Sequence, residues 1–284
     1  MPALRTAMLT AAAMLAFAAN SILCRLALAG GGIDPASFGS LRLLSGALML
    51  ALVLRLRPGT AASAGSASRI DWLAAAMLFA YVAFFSFAYL SLPAGTGALI
   101  LFGAVQLTML TAGWRAGESF GAMGWLGFAL AAGGLVGLVA PGVSAPPPGG
   151  AALMAVAGVA WGIYSLRGRG VADPLAATAA NFLRAAPLAL LLSLALALHA
   201  RADAHGALLA VASGALTSGL GYVIWYAALP GLGALRAATV QLSVPLIAAL
   251  GGVLFMAETL SLRLALTGAA ILGGIGLVLL GKRR

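Results

Sequence analysis

Six carboxylates and two histidines are all the acid–base side chains that this 284-residue chain offers besides its arginines, lysine, tyrosines and single cysteine. Asp34, Asp71, Asp173 and Asp203 fall at the edges of apolar runs, Glu118 and Glu258 at the ends of two others, and His199 and His205 flank one short polar stretch. No HExxH pair is present to hold zinc, and no GxxxxGK[ST] loop to cradle nucleotide phosphates. Cys24 stands alone, so no intramolecular disulfide or thiolate cluster can form, and it reads as a small apolar helix residue. The expectation is a protein without enzyme activity, metal or cofactor.

The chemistry left is recognition by polar and aromatic groups inside apolar runs. Asn20 and Ser21 lie past the middle of the first run, where an amide bonds either a ligand or another helix. Tyr81, Phe85 and Tyr89 recur every fourth residue on one helical face; Trp161 and Tyr164 share a face, as do Tyr222, Trp225 and Tyr226. Such stripes serve as packing or as a binding wall. Tyr81, Trp161 and Tyr222 are the better wall candidates, whereas Trp225, Tyr226, Trp72, Trp114 and Trp125 read as interfacial belt residues. Gln106 and Gln241 are a matched pair near midspan. Pro245 cannot donate to the Gln241 carbonyl, nor Pro187 to that of Leu183 beside Arg184. A freed carbonyl near an amide could take an ammonium or hydrate, or let the helix bend; a packed kink is the plainer reading. Arg42 and Arg184 would cost ~2.5–3.5 kcal/mol at a helix centre. They should therefore face protein, water or headgroups, and either could attract a carboxylate or simply snorkel. Asn181, three residues before Arg184, could orient it.

The elements that must position these groups follow from composition. Hydrophobic residues make up 63% of the chain, charged residues 8%, and the mean hydropathy is +1.08. Soluble domains carry roughly 25% charged residues, and disorder needs low hydrophobicity; both are excluded. A membrane-spanning helix takes about 20 residues. Ten spans are predicted, over 7–28, 36–54, 71–92, 94–113, 120–140, 150–167, 174–198, 206–228, 232–256 and 262–281. Gly30-Gly31-Gly32, Asp34-Pro35, a Gly/Ala/Ser stretch at 59–68, Pro141-Gly142 and Pro146-Pro147-Pro148 break the runs, and Pro93 and Pro230 mark tight hairpins. The net charge of +10 is topological rather than a nucleic-acid footprint. With the N-terminus in the cytoplasm, Arg5, Arg55, Arg57, Arg69, Arg115, Arg167, Arg169, Lys282, Arg283 and Arg284 lie inside, against Arg201 and Arg263 outside. Both termini are then cytoplasmic and the membrane is a bacterial-type inner membrane. Gly133 with Gly137, and Ala269 with Gly273, are small-residue pairs expected to pack spans five and ten closely.

The chain also repeats itself. AYLSLP (88–93) matches WYAALP (225–230), Val105-Gln106-Leu107 matches Val240-Gln241-Leu242, and Gly97-Ala98-Leu99 matches Gly233-Ala234-Leu235. Glu118 matches Glu258, Gly133-Gly134 matches Gly273-Gly274, and Asp34-Pro35 with Arg42 matches Asp173-Pro174 with Arg184. The two halves, 1–142 and 143–284, then hold five spans each. Five is odd, so the second half enters the membrane inverted, the plan of secondary transporters with a site between the repeats.

The paired hairpins at Pro93 and Pro230, and Gly117-Glu118 and Ala257-Glu258 before glycine-rich fifth and tenth spans, resemble the ten-helix EamA type of the drug/metabolite transporter superfamily. Within it, the aromatic content is similar to the YddG-like aromatic amino-acid exporter branch. The resemblance implies an all-α fold, metabolite export by alternating access, and a cavity lined by spans 1, 3, 4, 6, 8 and 9. The expected partners are a small-molecule substrate, best an amino acid, and membrane lipid, without nucleic acid; the sequence does not specify an oligomeric state. Lack of a carboxylate deep in any span favours a facilitative mechanism. A flippase for a lipid-linked substrate and a proton-coupled multidrug exporter, the latter through Glu258, are the alternatives.

Overall fold

The computed structural model describes residues 2–57, 71–117, 121–142, 144–232, 237 and 239–281. The 59–68 stretch, Arg69, Glu118, Gly233-Ala234-Leu235, Arg236 and Lys282 to Arg284 lie outside the described residues. The chain is a bundle of helices: α1 Pro2–Ala29, α2 Pro35–Leu56, α3 Trp72–Ala88, α4 Ala94–Arg115, α5 Ala122–Val139, α6 Pro148–Arg167, α7 Pro174–Ala195, α8 Ala204–Gly231, α9 Ser243–Met256 and α10 Leu262–Gly281. Eight are long and apolar enough to cross a membrane; α3 and α9 are shorter. Leu48, Leu126, Leu183, Leu246 and Leu266 are exposed on the outside of the bundle, as lipid contact requires. Trp72, Trp114 and Trp125 are exposed as well.

Local chemistry sets the helix starts. Asp34, Asp71, Asp173 and Asp203 each cap the N-terminus of the next helix by accepting backbone N–H groups, and Pro35 and Pro174 occupy first-turn positions of α2 and α7. The repeat-matched pairs Asp34-Pro35 and Asp173-Pro174 thus do the same local work. Partial burial pushes the Asp34 carboxyl up, but hydrogen bonds from Ser37, Arg201 and Ala36 outweigh it, and its pKa is lowered on balance. Repeat symmetry reaches the backbone too. Gly117, after α4, has φ +91°, and Ala257, after α9, has φ 51°. Glycine adopts that left-handed turn freely, whereas alanine is strained there by roughly 1–2 kcal/mol.

Exchanging the first five helices for the last five carries the main contacts into one another. α2 packs on α7, α4 on α9 and α5 on α10; α3 on α6 matches α8 on α1, and α3 on α7 matches α8 on α2. The α5–α10 seam is the tightest, but not through the residues expected. Gly133, Ala269 and Gly273 point outward, and Gly137 only brushes Thr267. The seam is made by Gly127, Ala131 and Gly134 against Ile271 and Gly274. A Cβ on Gly274 would lie 2.5 Å from the Gly127 carbonyl oxygen and 2.6 Å from Ala131 N. The helices have the small residues the sequence suggested, turned by one position, because two apolar faces offer no polarity to say which one meets lipid.

Two further expectations change. The sequence predicts a ninth span over 232–256 with Pro245 in its middle. Instead α9 begins at Ser243, after a turn at Gln241–Leu242, so Pro245 stands in the first turn, where a missing N–H is harmless. The Gln241 carbonyl is not freed, because Val244 N–H donates to it at 3.1 Å. Pro187 lies on an exposed stripe of α7 with Leu183 and Leu190, turned to lipid.

Gly274→Val should force the seam apart at a cost of about 1–3 kcal/mol, lowering the melting temperature of the purified protein, while Gly273→Val leaves it close to the parent. Thermal unfolding in detergent checks the pair.

Candidate functional site

A cavity of ≈ 1060 Å³ enters the bundle from the end where α2 and α6 finish and α3 and α7 begin. Its mouth is lined by Asp71, Asp173 and the 165–172 segment, and its inner part by Phe17, Asn20, Ser21, Tyr81, Phe85, Phe102, Trp161, Tyr164, Tyr222 and Trp225. Gln241 lines it from the turn before α9, and Arg184 from α7. Gln106 does not: it is buried in α4 off the cavity, while Val105, Phe102 and Met109 of the same helix face in. Trp225 and Tyr226, expected at the interface, both line the cavity, with Trp225 only 7% exposed.

The walls are a continuous aromatic band. Tyr81 lies 4.8 Å from Trp161, Trp161 stacks on Tyr222 at 5.8 Å, and Tyr222 on Tyr226 at 6.2 Å, measured between ring centroids. Phe17 meets Tyr222 at 5.8 Å. At the mouth the Tyr226 hydroxyl pairs with Thr178.

The deepest polar cluster is built on a change of helix winding. Ser213–Leu220 in α8 is a π-helix, and its i→i+5 pitch brings residues four and five apart onto one side. Ser213, Thr217 and Ser218 therefore all donate to Asn20 Oδ1, at 2.9, 2.7 and 3.3 Å. Small residues let the neighbouring helix close on this segment. A Cβ on Gly214 would lie 2.1 Å from the Arg42 carbonyl oxygen. That approach carries the Arg42 side chain to Ser218 and Tyr81: Nε donates to Ser218 Oγ at 3.3 Å, and a terminal nitrogen to Tyr81 Oη at 3.1 Å.

The opposite end is closed. Ala257, in its left-handed turn, aims Glu258 back over α9, whose Gly252 would clash with it if it carried a Cβ. Glu258 Oε1 pairs with Arg25 Nε at 3.4 Å, and Oε2 accepts the Ala94 N–H at 2.8 Å. Arg25 also donates to the carbonyls of Tyr89 and Leu90. One ion pair thus ties the ends of α1, α3 and α9 to the start of α4. Beneath it Tyr89, fully buried, packs edge-on against Phe85. Beside it Asp34 accepts the Arg201 N–H, and Ile33 bridges Ala202. At the open end the ion pairs Arg57–Asp173 and Arg167–Asp71 join α2 to α7 and α6 to α3 without crossing the mouth. Slight burial raises the Asp71 pKa, but Arg167 and the α3 N-terminus outweigh it and the net shift is downward.

The sequence missed the Arg25–Glu258 closure, the roles of Ser213, Thr217 and Ser218, and the cavity side of Trp225 and Tyr226. A signal existed for the hydroxyls, a serine/threonine cluster inside an apolar span; none existed for an ion pair across 233 positions. Gly117-Glu118-Ser119-Phe120-Gly121 has the spacing of a nucleophile elbow. That device needs a strand running into a helix, and here the flanking elements are the helices α4 and α5.

A helical bundle with a solute-sized blind cavity, aromatic walls and opposed halves is a multi-pass membrane protein of the transporter class. The sequence profile of the EamA-like transporter family matches residues 148–280. The chain is 57% identical over 281 residues to the Pseudomonas aeruginosa protein PA1977, a match spanning 98% of this chain and 96% of that one, and PA1977 is itself uncharacterised. A crystal structure of a protein 22% identical has the same fold, with a TM-score of 0.64 over 94% of this chain and 98% of the other. Residues 148–280 thus carry an EamA-like transporter domain.

Asn20→Leu removes the acceptor of Ser213 and Ser218, while Thr217 keeps its bond to the Ser213 carbonyl, and should cost about 1–3 kcal/mol, read as a lower melting temperature of the purified protein.

Proposed function

We propose that the protein is an alternating-access carrier that exports small amphipathic metabolites, with amino acids as the substrate class, as in the YddG-like branch. The observation that carries this reading is a cavity open at one end and tied shut at the other. Its blind end combines aromatic faces for an apolar side chain with Asn20 and Gln241 for a polar end. Placing the arginine-rich end in the cytoplasm of an inner membrane, with both termini inside, makes the described state inward-open. Halves 1–142 and 143–284 then rock so that Arg25–Glu258 parts while the mouth around Asp71 and Thr178 closes.

Coupling to protons is not part of this reading. The acids lining the cavity, Asp71 and Asp173, sit at its mouth, each paired with an arginine and each capping a helix. Glu258 is held by Arg25 and Ala94 on the far side. A carrier so built moves solute down its gradient.

Proteoliposomes loaded with unlabelled amino acid should take up labelled Phe, Trp, Met or Thr saturably, and an imposed pH gradient should leave the plateau unchanged. Trp161→Ala should cut that uptake about tenfold or more, since base-like stacking of flat groups on an aromatic face is worth roughly 1–3 kcal/mol. Accumulation that depends on the pH gradient would replace facilitation with proton coupling. Uptake competed only by lipid-linked solutes would replace the amino-acid carrier with a flippase.

A further inference from the structure

Arg42 is 1% exposed, and it lies behind Tyr81 and Phe85 at the blind end of the cavity. Its guanidinium carbon stands 5.2 Å from the Tyr81 ring centroid and 5.0 Å from that of Phe85. Two of its nitrogens bond neutral hydroxyls, and the third, Nη1, is buried with no hydrogen-bond partner. Among the described residues no carboxylate neutralises it. Asp34, Asp71, Asp173 and Asp203 are spent on helix starts at the two ends of the bundle, and Glu258 is held by Arg25. Guanidinium cannot shed its proton, and a buried unpaired charge is among the costliest features a fold can carry. Ring faces and hydroxyls offset part of that cost.

We propose that Arg42 is the anion-recognition group of this cavity and that its missing partner is a carboxylate of the transported solute. The inference rests on the transport reading and adds a charge class to it. Two hydrogen-bond chains lead from Arg42 to the cavity surface. In one, Arg42 donates to Tyr81 Oη, which leaves the tyrosine proton to be donated to a bound anion. In the other, Arg42 donates to Ser218 Oγ, which donates to Asn20 Oδ1. Both Tyr81 and Asn20 line the cavity. A solute carboxylate at Tyr81 sits in the uncompensated field of the guanidinium, in surroundings of low dielectric where that field is strong. The aromatic band from Trp161 to Tyr226 then takes the organic body. A single guanidinium matches a single negative charge, so the class is an organic monocarboxylate, amino acids included.

The test uses matched acid–amide pairs on the purified full-length protein: L-phenylalanine against L-phenylalaninamide, and phenylacetate against phenylacetamide. Binding is measured by titration calorimetry in sulfate, a dianion outside the proposed class, and again in chloride. The acid of at least one pair should bind tenfold or more tighter than its amide, and Arg42→Gln should bring the two within about twofold. Asn20→Asp is the second variant, because it leaves Arg42 in place and supplies a carboxylate through Ser218. It should keep the melting temperature at or above the parent value and abolish the preference for the acid. Equal binding of acid and amide by the parent protein, or a preference that survives in either variant, overturns the proposal, as does an acid preference seen in sulfate that chloride removes by taking the site. If L-phenylalanine is transported without preference over its amide, this inference falls and the amino-acid carrier stands. If phenylacetate binds through Arg42 and amino acids do not, the amino-acid reading falls and this one stands.

Discussion

At Gly214 the backbone of α8 meets the backbone of α2, closely enough that any side chain there would overlap the Arg42 carbonyl and the Ser45 hydroxyl. The site depends on that contact. In lipid, helices gain nothing by hiding apolar surface from one another, so they associate through close backbone packing and internal hydrogen bonds. Gly46 against Phe182 and Gly219 against Met49 extend the approach along α2. With the backbones this close, the side chain of Arg42 is carried to Ser218, and the three hydroxyls of the π-wound segment lie within reach of Asn20 on α1. A wider spacing would leave a buried arginine and a buried amide both unanswered, in a medium with no water to answer them.

The two ends of the bundle are built on different principles. The closed end is a convergence: one glutamate receives a guanidinium and a backbone N–H from different helices, and the guanidinium in turn binds two carbonyls of the α3–α4 hairpin. The open end is a set of separate clasps, each holding two neighbouring helices and none bridging the entrance. Residues Arg25 and Glu258 retain 20% and 15% of their side-chain exposure. The pair is largely buried, yet water reaches both groups and can take over their hydrogen bonds if they part. The alternating-access carrier proposed above would need a closure of this kind, whose groups water can receive on opening. Ala257 acts in the same direction, because strain in its left-handed turn is released if the segment unwinds.

Much of this was legible in the sequence because it rests on local rules. The apolar runs located the helices, and the Asp-Pro pairs located two of their starts. The residues that form the inner wall, Tyr81, Trp161 and Tyr222, were legible as polar-tipped aromatics spaced on one helical face. Most of what failed shares one cause. In a soluble helix, polarity separates the covered face from the exposed one, whereas here both are apolar. That is why the seam of α5 and α10 fell one residue away from the predicted glycines, why Trp225 and Tyr226 were assigned to the interface, and why Gln106 was grouped with Gln241 though only the latter reaches the cavity. Pro245 failed for another reason: the rule was sound, but the helix starts two residues before it.

Arg42 and Arg184 show how far repeat symmetry extends. Each follows an Asp-Pro helix start in the second helix of its half, but Arg42 comes eight residues after Asp34 and Arg184 eleven after Asp173, so they stand about one helical turn apart in the repeat plan. Arg184 nevertheless sits partly exposed on the cavity wall of α7, while Arg42 is sealed behind two aromatic rings. Part of the difference is that turn and part is α8, whose π-wound segment offers α2 a glycine contact and a buried serine, whereas the corresponding helix of the first half, α3, offers α7 the apolar and aromatic side chains of a regular α-helix. Symmetric scaffolding makes two states of similar energy available. A site that also obeyed the symmetry would bind solute equally from both sides and in two poses. By breaking the repeat at one helix, the fold sets a single buried charge off the axis that would relate the two halves.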